Sequence, residues 1–170
     1  MTSGAAVHKT AIVAPNVHLG DGSVVGEYVV LGRAPRGKKE GELELVIGPG
    51  AVIRPFTTIY AGTRIGARLQ TGQGASIRED NMIGDDVSIG THASLEFGNR
   101  VGSRVRVHTG CFLELTHIED DVFLGLDAQN RVLILRCADQ GNGGSCKSCS
   151  QEASSGDLAH RHASVIGKFR

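Results

Sequence analysis

The chain has 170 residues with 24 Gly, no Trp, 40% apolar residues and 18 Lys+Arg against 18 Asp+Glu, so its formal charge is zero. Gly at about twice its usual share of roughly 7% argues against a helical bundle. The balanced charge excludes the basic footprint of a nucleic-acid binder, and no apolar run reaches the ~18 residues of a transmembrane segment.

Met1 to Thr10 carries no apolar signal core, so a cytoplasmic location is expected. From Val7 a six-residue period begins: Val7, Val13, Leu19, Val25, Leu31. It resumes at Ile47 and runs through Ile53, Ile59, Ile65, Thr71, Ile77, Ile83, Ile89, Leu95, Val101, Val107 and Leu113. Of these 17 positions only Thr71 is not aliphatic, and the next residue is Gly nine times. Four residues after each aliphatic a small or β-branched residue recurs, as at Ala11, Ser23, Ala51, Thr57, Ala75, Ala93 and Cys111. A six-residue unit is too short for a helix and suits one short strand and one corner. The aliphatic and the small residue point into one narrow core, and Gly-bearing corners turn the chain. Three units close a coil of 18 residues, and stacked coils pair along parallel strands about 4.8 Å apart. A β-sandwich would show period 2 and irregular turn spacing instead.

Two interruptions break the register. Arg33 to Val46 (RAPRGKKEGELELV) adds about ten polar, charged and Gly-bearing residues beyond a normal unit, and is expected as a loop thrown out from a corner. It reads either as a tolerated surface insertion or as a substrate or subunit-contact loop. The unit from Leu113 has five residues, and Ile118 restarts the register through Leu124-Gly125. Residues 126–170 then carry no hexads. That stretch is open to three readings: a poorly ordered tail, a zinc cluster (Cys137, Cys146, Cys149, His160 and His162), or a tail in an altered reading frame. The expected organisation is a solenoid domain over 1–125, about six coils, and an irregular tail over 126–170.

The stretches I47-G-P-G-A-V-I-R-P-F-T-T-I-Y-A-G-T-R-I-G66, T71-G-Q-G-A-S-I-R-E79 and I118-E-D-D-V-F-L-G125 resemble the hexapeptide-repeat acyltransferases, in particular the sugar O- and N-acyltransferase branch. The insertion is similar to one in UDP-N-acetylglucosamine acyltransferase. The resemblance implies an all-β, left-handed parallel β-helix, a homotrimer, and an active site in the groove between neighbouring subunits. It implies transfer of an acyl group from acetyl-CoA or another acyl thioester to the amine or hydroxyl of a free or nucleotide-linked sugar, in polysaccharide or glycolipid synthesis. No metal, nucleic acid or membrane partner is expected.

Residues 18 apart stack on one face, so Arg54-Pro55-Phe56, Gly72-Gln73-Gly74, Gly90-Thr91-His92 and His108-Thr109-Gly110 gather on one edge. Acyl transfer needs a base for the attacking group and donors for the tetrahedral oxyanion. Where relatives carry T-G-H-G or T-G-H-H, this chain has Gln73, and an amide has no accessible pKa near neutral. His92 and His108 are therefore the candidate bases, with Gln73 beside them and Glu79 as a residue that could orient a base. Substrate-assisted transfer without a protein base, or weak catalysis, also stays open. Gly72, Gly74 and Gly90 would let a pantetheine arm approach the backbone. Arg78 and Arg104, with Arg54, Arg64, Arg68 and Arg106, could meet CoA phosphates.

The repeat is compatible with two other classes. One is a non-catalytic or truncated hexapeptide scaffold. The other is a γ-type carbonic anhydrase, which holds zinc with three His, two of them five residues apart. Here His8, His18, His92, His108 and His117 are 10, 74, 16 and 9 residues apart, so that spacing is missing.

Overall fold

The computed structural model describes residues 4–126 and 132–136. The chain winds as a parallel β-solenoid with three strands per coil. The first coil holds β1 (Ala6–Val7), β2 (Ile12–Val13) and β3 (Val17–Leu19). The second holds β4 (Val24–Val25), β5 (Val30–Arg33) and β6 (Leu45–Ile47). The third holds β7 (Val52–Ile53), β8 (Thr58–Tyr60) and β9 (Arg64–Ile65). The fourth holds β10 (Gln70–Thr71), β11 (Ser76–Ile77) and β12 (Met82–Ile83). The fifth holds β13 (Ser88–Ile89), β14 (Ser94–Leu95) and β15 (Arg100–Val101). The sixth holds β16 (Arg106–Val107), β17 (Phe112–Leu113) and β18 (His117–Ile118), and β19 (Val122–Leu126) begins a seventh. Among the described residues no helix is long and apolar enough to cross a membrane.

Equivalent strands of successive coils pair in parallel and build three faces. The first face runs β1-β4-β7-β10-β13-β16-β19, the second β2 to β17, the third β3 to β18. The first corner joins the first face to the second, the second corner joins second to third, and the third corner leads to the next coil. The 18-residue register appears directly in pairs such as Gln70↔Ser88, Ser76↔Ser94 and Met82↔Arg100.

The core is a single column inside the coils. Ile53, Ile59, Ile77, Ile89 and Leu95 are almost wholly buried, with Ala51, Ala75 and Ala93 as the small partners. Each buried aliphatic contributes roughly 1.5–3 kcal/mol. Polar residues enter this column where they satisfy one another. Thr71, the one non-aliphatic hexad position, shares a 3.1 Å hydrogen bond with Thr57 Oγ1, and its hydroxyl accepts the Arg54 N–H at 3.0 Å. In the small-residue column of the second corner, Asn81 and Asn99 are fully buried. Asn81 Oδ1 accepts from Asn99 N and Nδ2 (3.0 and 2.8 Å), and Asn99 Oδ1 accepts from Thr116 N at 2.9 Å. This ladder ties three coils together inside the core.

The insertion leaves the solenoid at the second corner. Val24 pairs with Val52, so that step in register is 28 residues instead of 18. The strands extend into the expected loop at both ends: β5 runs to Arg33 and β6 starts at Leu45, which leaves 34–44 as the excursion. Its ends are fastened by Ala61 N to Arg33 O (3.0 Å) and Gly62 N to Glu44 O (2.7 Å). The short unit before Ile118 is a corner with one residue fewer. Arg100 pairs with His117 and Val101 with Ile118, and Leu115 makes the bend with φ 49°.

β19 continues through Leu126, and β20 (Val132–Arg136) returns antiparallel beside it, with Phe123↔Leu135 and Gly125↔Leu133. The physical reason is that β19 would otherwise present a row of unpaired backbone groups, and V-L-I-L-R is an aliphatic run suited to pairing with it. Cys137, Cys146, Cys149, His160 and His162 lie outside the described residues.

Candidate active site

The stacked edge expected from the 18-residue period is the first corner. Its three-residue turns are Gly26-Glu27-Tyr28, Arg54-Pro55-Phe56, Gly72-Gln73-Gly74, Gly90-Thr91-His92 and His108-Thr109-Gly110. Each third residue is left-handed: Tyr28 φ 54°, Phe56 63°, Gly74 65°, His92 53° and Gly110 70°. Its N–H donates to the middle carbonyl of the coil before, as in Gly74 N to Pro55 O (3.0 Å), His92 N to Gln73 O (3.0 Å) and Gly110 N to Thr91 O (2.9 Å). The corner is thus a rigid stair whose treads are one strand spacing apart, about 4.8 Å.

His92 is exposed, and its ring lies over the backbone of Gly74: a Cβ built on Gly74 would fall 2.6 Å from His92 Nδ1. Gln73 is exposed on the tread below. His108 stands on the tread above, in the column of Gly72 and Gly90, with its ring edge-on to Phe123 at 6.2 Å. The structure therefore brings His92, His108, Gln73 and Gly74 to one edge. The outer side of this edge faces solvent, with Gln73, His92 and His108 all exposed.

Gly72 and Gly90 have a demand of their own. A Cβ on Gly72 would collide with Thr91 N, and one on Gly90 with the His108–Thr109 peptide. Their missing side chains are used by the coil that follows.

Arg78 and Glu79 sit on the second corner, not with the imidazoles. Arg78 makes a two-point ion pair with Glu79 (both contacts 3.0 Å), reaches Glu96 at 3.2 Å and lies 5.3 Å from the Tyr60 ring centroid. Burial pushes the Glu79 carboxyl up, but the Arg78 guanidinium and its own backbone N–H outweigh this and hold it below the usual carboxylate range. Arg104 belongs to the third corner, where it pairs with Asp121 at 2.6 Å and Asp120 at 3.2 Å. Two coils below, Arg68 pairs with Asp86 at 2.5 Å. These guanidiniums are engaged by carboxylates. On the first-corner side, Arg54 Nη1 donates to Thr71 O at 2.8 Å, and Arg106 is exposed on the first face between Ser88 and Phe123. An open groove of about 730 Å³ runs along the third face between Arg64, Met82, Arg100 and His117, away from the first corner that carries His92 and His108. Among the described residues no group of three or more His, Cys, Asp or Glu comes together as a metal site.

The fold is a parallel β-solenoid of three stacked faces, and it is shared with solved sugar acetyltransferases and acyltransferases. No protein-family model and no curated protein matches the sequence. Solved structures do match in fold. One is a variant of perosamine N-acetyltransferase from Caulobacter crescentus in complex with CoA and GDP-perosamine: 21% identical, TM-score 0.63, covering 78% of this chain and 58% of that one. Another is the acetyltransferase domain of PglB from Neisseria gonorrhoeae: 24% identical, TM-score 0.54, covering 70% of this chain and 54% of that one. A third is UDP-N-acetylglucosamine O-acyltransferase from Moraxella catarrhalis: 18% identical, TM-score 0.50, covering 72% and 67%. The chain spans little more than half the length of the first two.

Proposed function

We propose that the chain is an acyltransferase that moves an acetyl or acyl group from acyl-CoA to an amine or hydroxyl of a free or nucleotide-linked sugar, serving polysaccharide or glycolipid synthesis. The observation that carries this reading is the first corner itself. Two imidazoles, His92 and His108, stand on successive treads of an exposed edge, with Gln73 below them. The fold likeness to an acetyltransferase solved with CoA and GDP-perosamine supports the donor and an amino-sugar acceptor.

In this mechanism the sugar nucleophile attacks the thioester carbonyl carbon. An imidazole of the edge takes the nucleophile's proton, a step of the kind that contributes about 10²–10⁴-fold. The C–S bond of the tetrahedral intermediate then breaks, and the CoA thiolate leaves and takes up a proton. Gln73 is an amide, so it serves as a donor to the developing oxyanion and not as the base. In this reading Arg54 and Arg106 meet the phosphates of the donor. The working form is a cytoplasmic homotrimer, with the corner facing a neighbouring copy.

Thermal unfolding with acetyl-CoA tests the reading. A ligand at 100 times its Kd stabilises by about 2.7 kcal/mol. A rise in melting temperature with acetyl-CoA, and acetyl transfer to amino sugars, are expected. No shift with acetyl-CoA or longer acyl-CoA donors leaves the alternative, a hexapeptide scaffold whose Gln73 marks lost catalysis.

A further inference from the structure

The N–H that follows each first-face strand donates to the hexad carbonyl of the next coil. His8 N bonds Val25 O at 2.9 Å, Gly26 N bonds Ile53 O at 2.8 Å and Gly72 N bonds Ile89 O at 2.6 Å. Gly90 N and His108 N do the same to Val107 O and Leu124 O, both at 2.8 Å. Arg54 departs from this series. Its N–H donates at 3.0 Å to the hydroxyl of Thr71, not to its carbonyl. The pairing of β7 with β10 accordingly stops at Val52↔Gln70. The released Thr71 carbonyl accepts from the Arg54 guanidinium instead, Nη1 to O at 2.8 Å. One side-chain oxygen has thus changed places with one backbone oxygen.

Thr57 completes the arrangement. Arg54 N–H can only donate and Gly72 O can only accept, so the chain runs one way: Arg54 N–H to Thr71 Oγ1, Thr71 to Thr57 Oγ1 (3.1 Å), Thr57 to Gly72 O (3.3 Å). Each buried hydroxyl donates once and accepts once, which offsets the cost of desolvating it. One Thr therefore holds Arg54 at both its backbone and its guanidinium. The guanidinium spends one of its five N–H donors there. Arg54 is exposed, and among the described residues no carboxylate pairs with it, whereas Arg68, Arg78 and Arg104 are all taken by carboxylates. It is a held cation with donors to spare, one coil below Gly72-Gln73-Gly74.

We infer that Thr71 is a positioning residue for donor binding: its hydroxyl takes the ladder bond so that its carbonyl can hold the Arg54 guanidinium ready for a phosphate of acyl-CoA. This rests on the acyltransferase reading and names the residue that sets Arg54. It also gives a use to the one hexad position that is not aliphatic, since a broken local rule marks function where the fold gains nothing from it. Val has nearly the shape of Thr and the character of the other hexad residues. In Thr71→Val the Arg54 N–H has only the carbonyl left to bond, as in the other coils, and the guanidinium loses its acceptor. A side chain ordered in advance saves its ordering cost on binding, worth about twofold to tenfold in affinity.

The test uses the full chain and two probes measured by calorimetry: acetyl-CoA, and S-acetylpantetheine, which keeps the thioester and lacks the phosphates. Arg54→Gln should weaken acetyl-CoA about tenfold to a hundredfold, the scale of a lost charged hydrogen bond. Thr71→Val should melt close to the parent yet weaken acetyl-CoA about twofold to tenfold, and Thr71→Ser, which keeps the hydroxyl, should bind as the parent does. Added to Arg54→Gln, Thr71→Val should have no further effect, because the two act as one unit. S-acetylpantetheine should bind all of these alike. The inference is overturned if Thr71→Val binds acetyl-CoA as the parent does, weakens it equally without Arg54, or weakens S-acetylpantetheine to the same degree. A Thr71→Val chain that does not fold overturns it too, since the hydroxyl would then serve the fold. If the parent binds acetyl-CoA and Arg54→Gln changes nothing, the inference fails and the acyltransferase reading stands. A parent that binds neither probe overturns both.

Discussion

The His92 imidazole rests on Gly74, with Nδ1 2.6 Å from where a Cβ would stand. One missing methyl group therefore sets the position of the candidate base. Gly74→Ala should displace that ring and also add strain, since φ is 65° there. A misplacement of about 1 Å can cost on the order of 10²-fold in rate. The expected result is a fall in kcat of roughly tenfold to a hundredfold, with the acetyl-CoA shift in melting temperature retained. Steady-state kinetics beside a thermal scan would check it.

The two imidazoles can be separated by mutation. Removal of the one that accepts the proton, through His92→Ala or His108→Ala, should lower kcat by about 10²–10⁴-fold with donor affinity unchanged. The other variant should stay within a few-fold of the parent. Parent rates in both would mean that no protein base is used and that the substrate or thioester assists. Gln73→His is the complementary variant, and a large gain in rate would identify Gln73 as the point where activity was given up.

The Asn ladder makes a stability prediction. Asn99→Leu removes the half-buried acceptor for Thr116 N and the buried donor to Asn81 Oδ1. A buried polar group left without a partner costs about 1–3 kcal/mol. Denaturant unfolding should show a loss of that order, whereas Asp85→Asn on the exposed third corner should change little.

Stability should also fall in acid, and the sign follows from the carboxylates. Hydrogen bonds and charge from Arg68 hold Asp86 below its ordinary value, and Arg104 does the same for Asp121; for Glu79 the Arg78 pairing overcomes the upward push of burial. A depressed folded-state value means that the contribution is complete above the unfolded value near 4. It is then lost as pH falls through the lower folded value. Urea midpoints measured from pH 6 down to pH 3 should drop in the lower part of that range. Arg104→Gln should flatten the drop, because Asp121 then titrates in the folded chain much as it does in the unfolded one.

Much of the architecture was legible because the repeat is a physical constraint, not a motif. Ile77, Ile83 and Ile89 must point inward at every third of a turn, and the pairs Ile77↔Leu95, Ile83↔Val101 and Ile89↔Val107 then follow. The edge with His92, His108 and Gln73 followed from the same arithmetic. Asn81 and Asn99 were not legible as core, because a polar residue in the small-residue column looks like a solvated corner until its partners are known. The partnership of Arg78 with Glu79 and Glu96 depends on rotamers, and so does that of Arg104 with Asp120 and Asp121. The strand over Val132–Arg136 lies beyond the last hexad and answers to an open edge, which no period announces. The stack of Tyr28 on Phe56 was hidden by the insertion, which puts 28 residues between them instead of 18.

That insertion also makes the second corner a splice point. Eleven residues, 34–44, leave between Arg33 and Leu45, while Leu31↔Ile59 on the face before the corner and Val46↔Arg64 on the face after it stay paired. Foreign peptides grafted between those two ends would be held at both by the Ala61–Arg33 and Gly62–Glu44 bonds. They would project from a straight rod at a fixed height, on a different corner from the imidazoles. The molecule is thus laid out as a display scaffold, one whose cargo could be changed in length without moving its working edge.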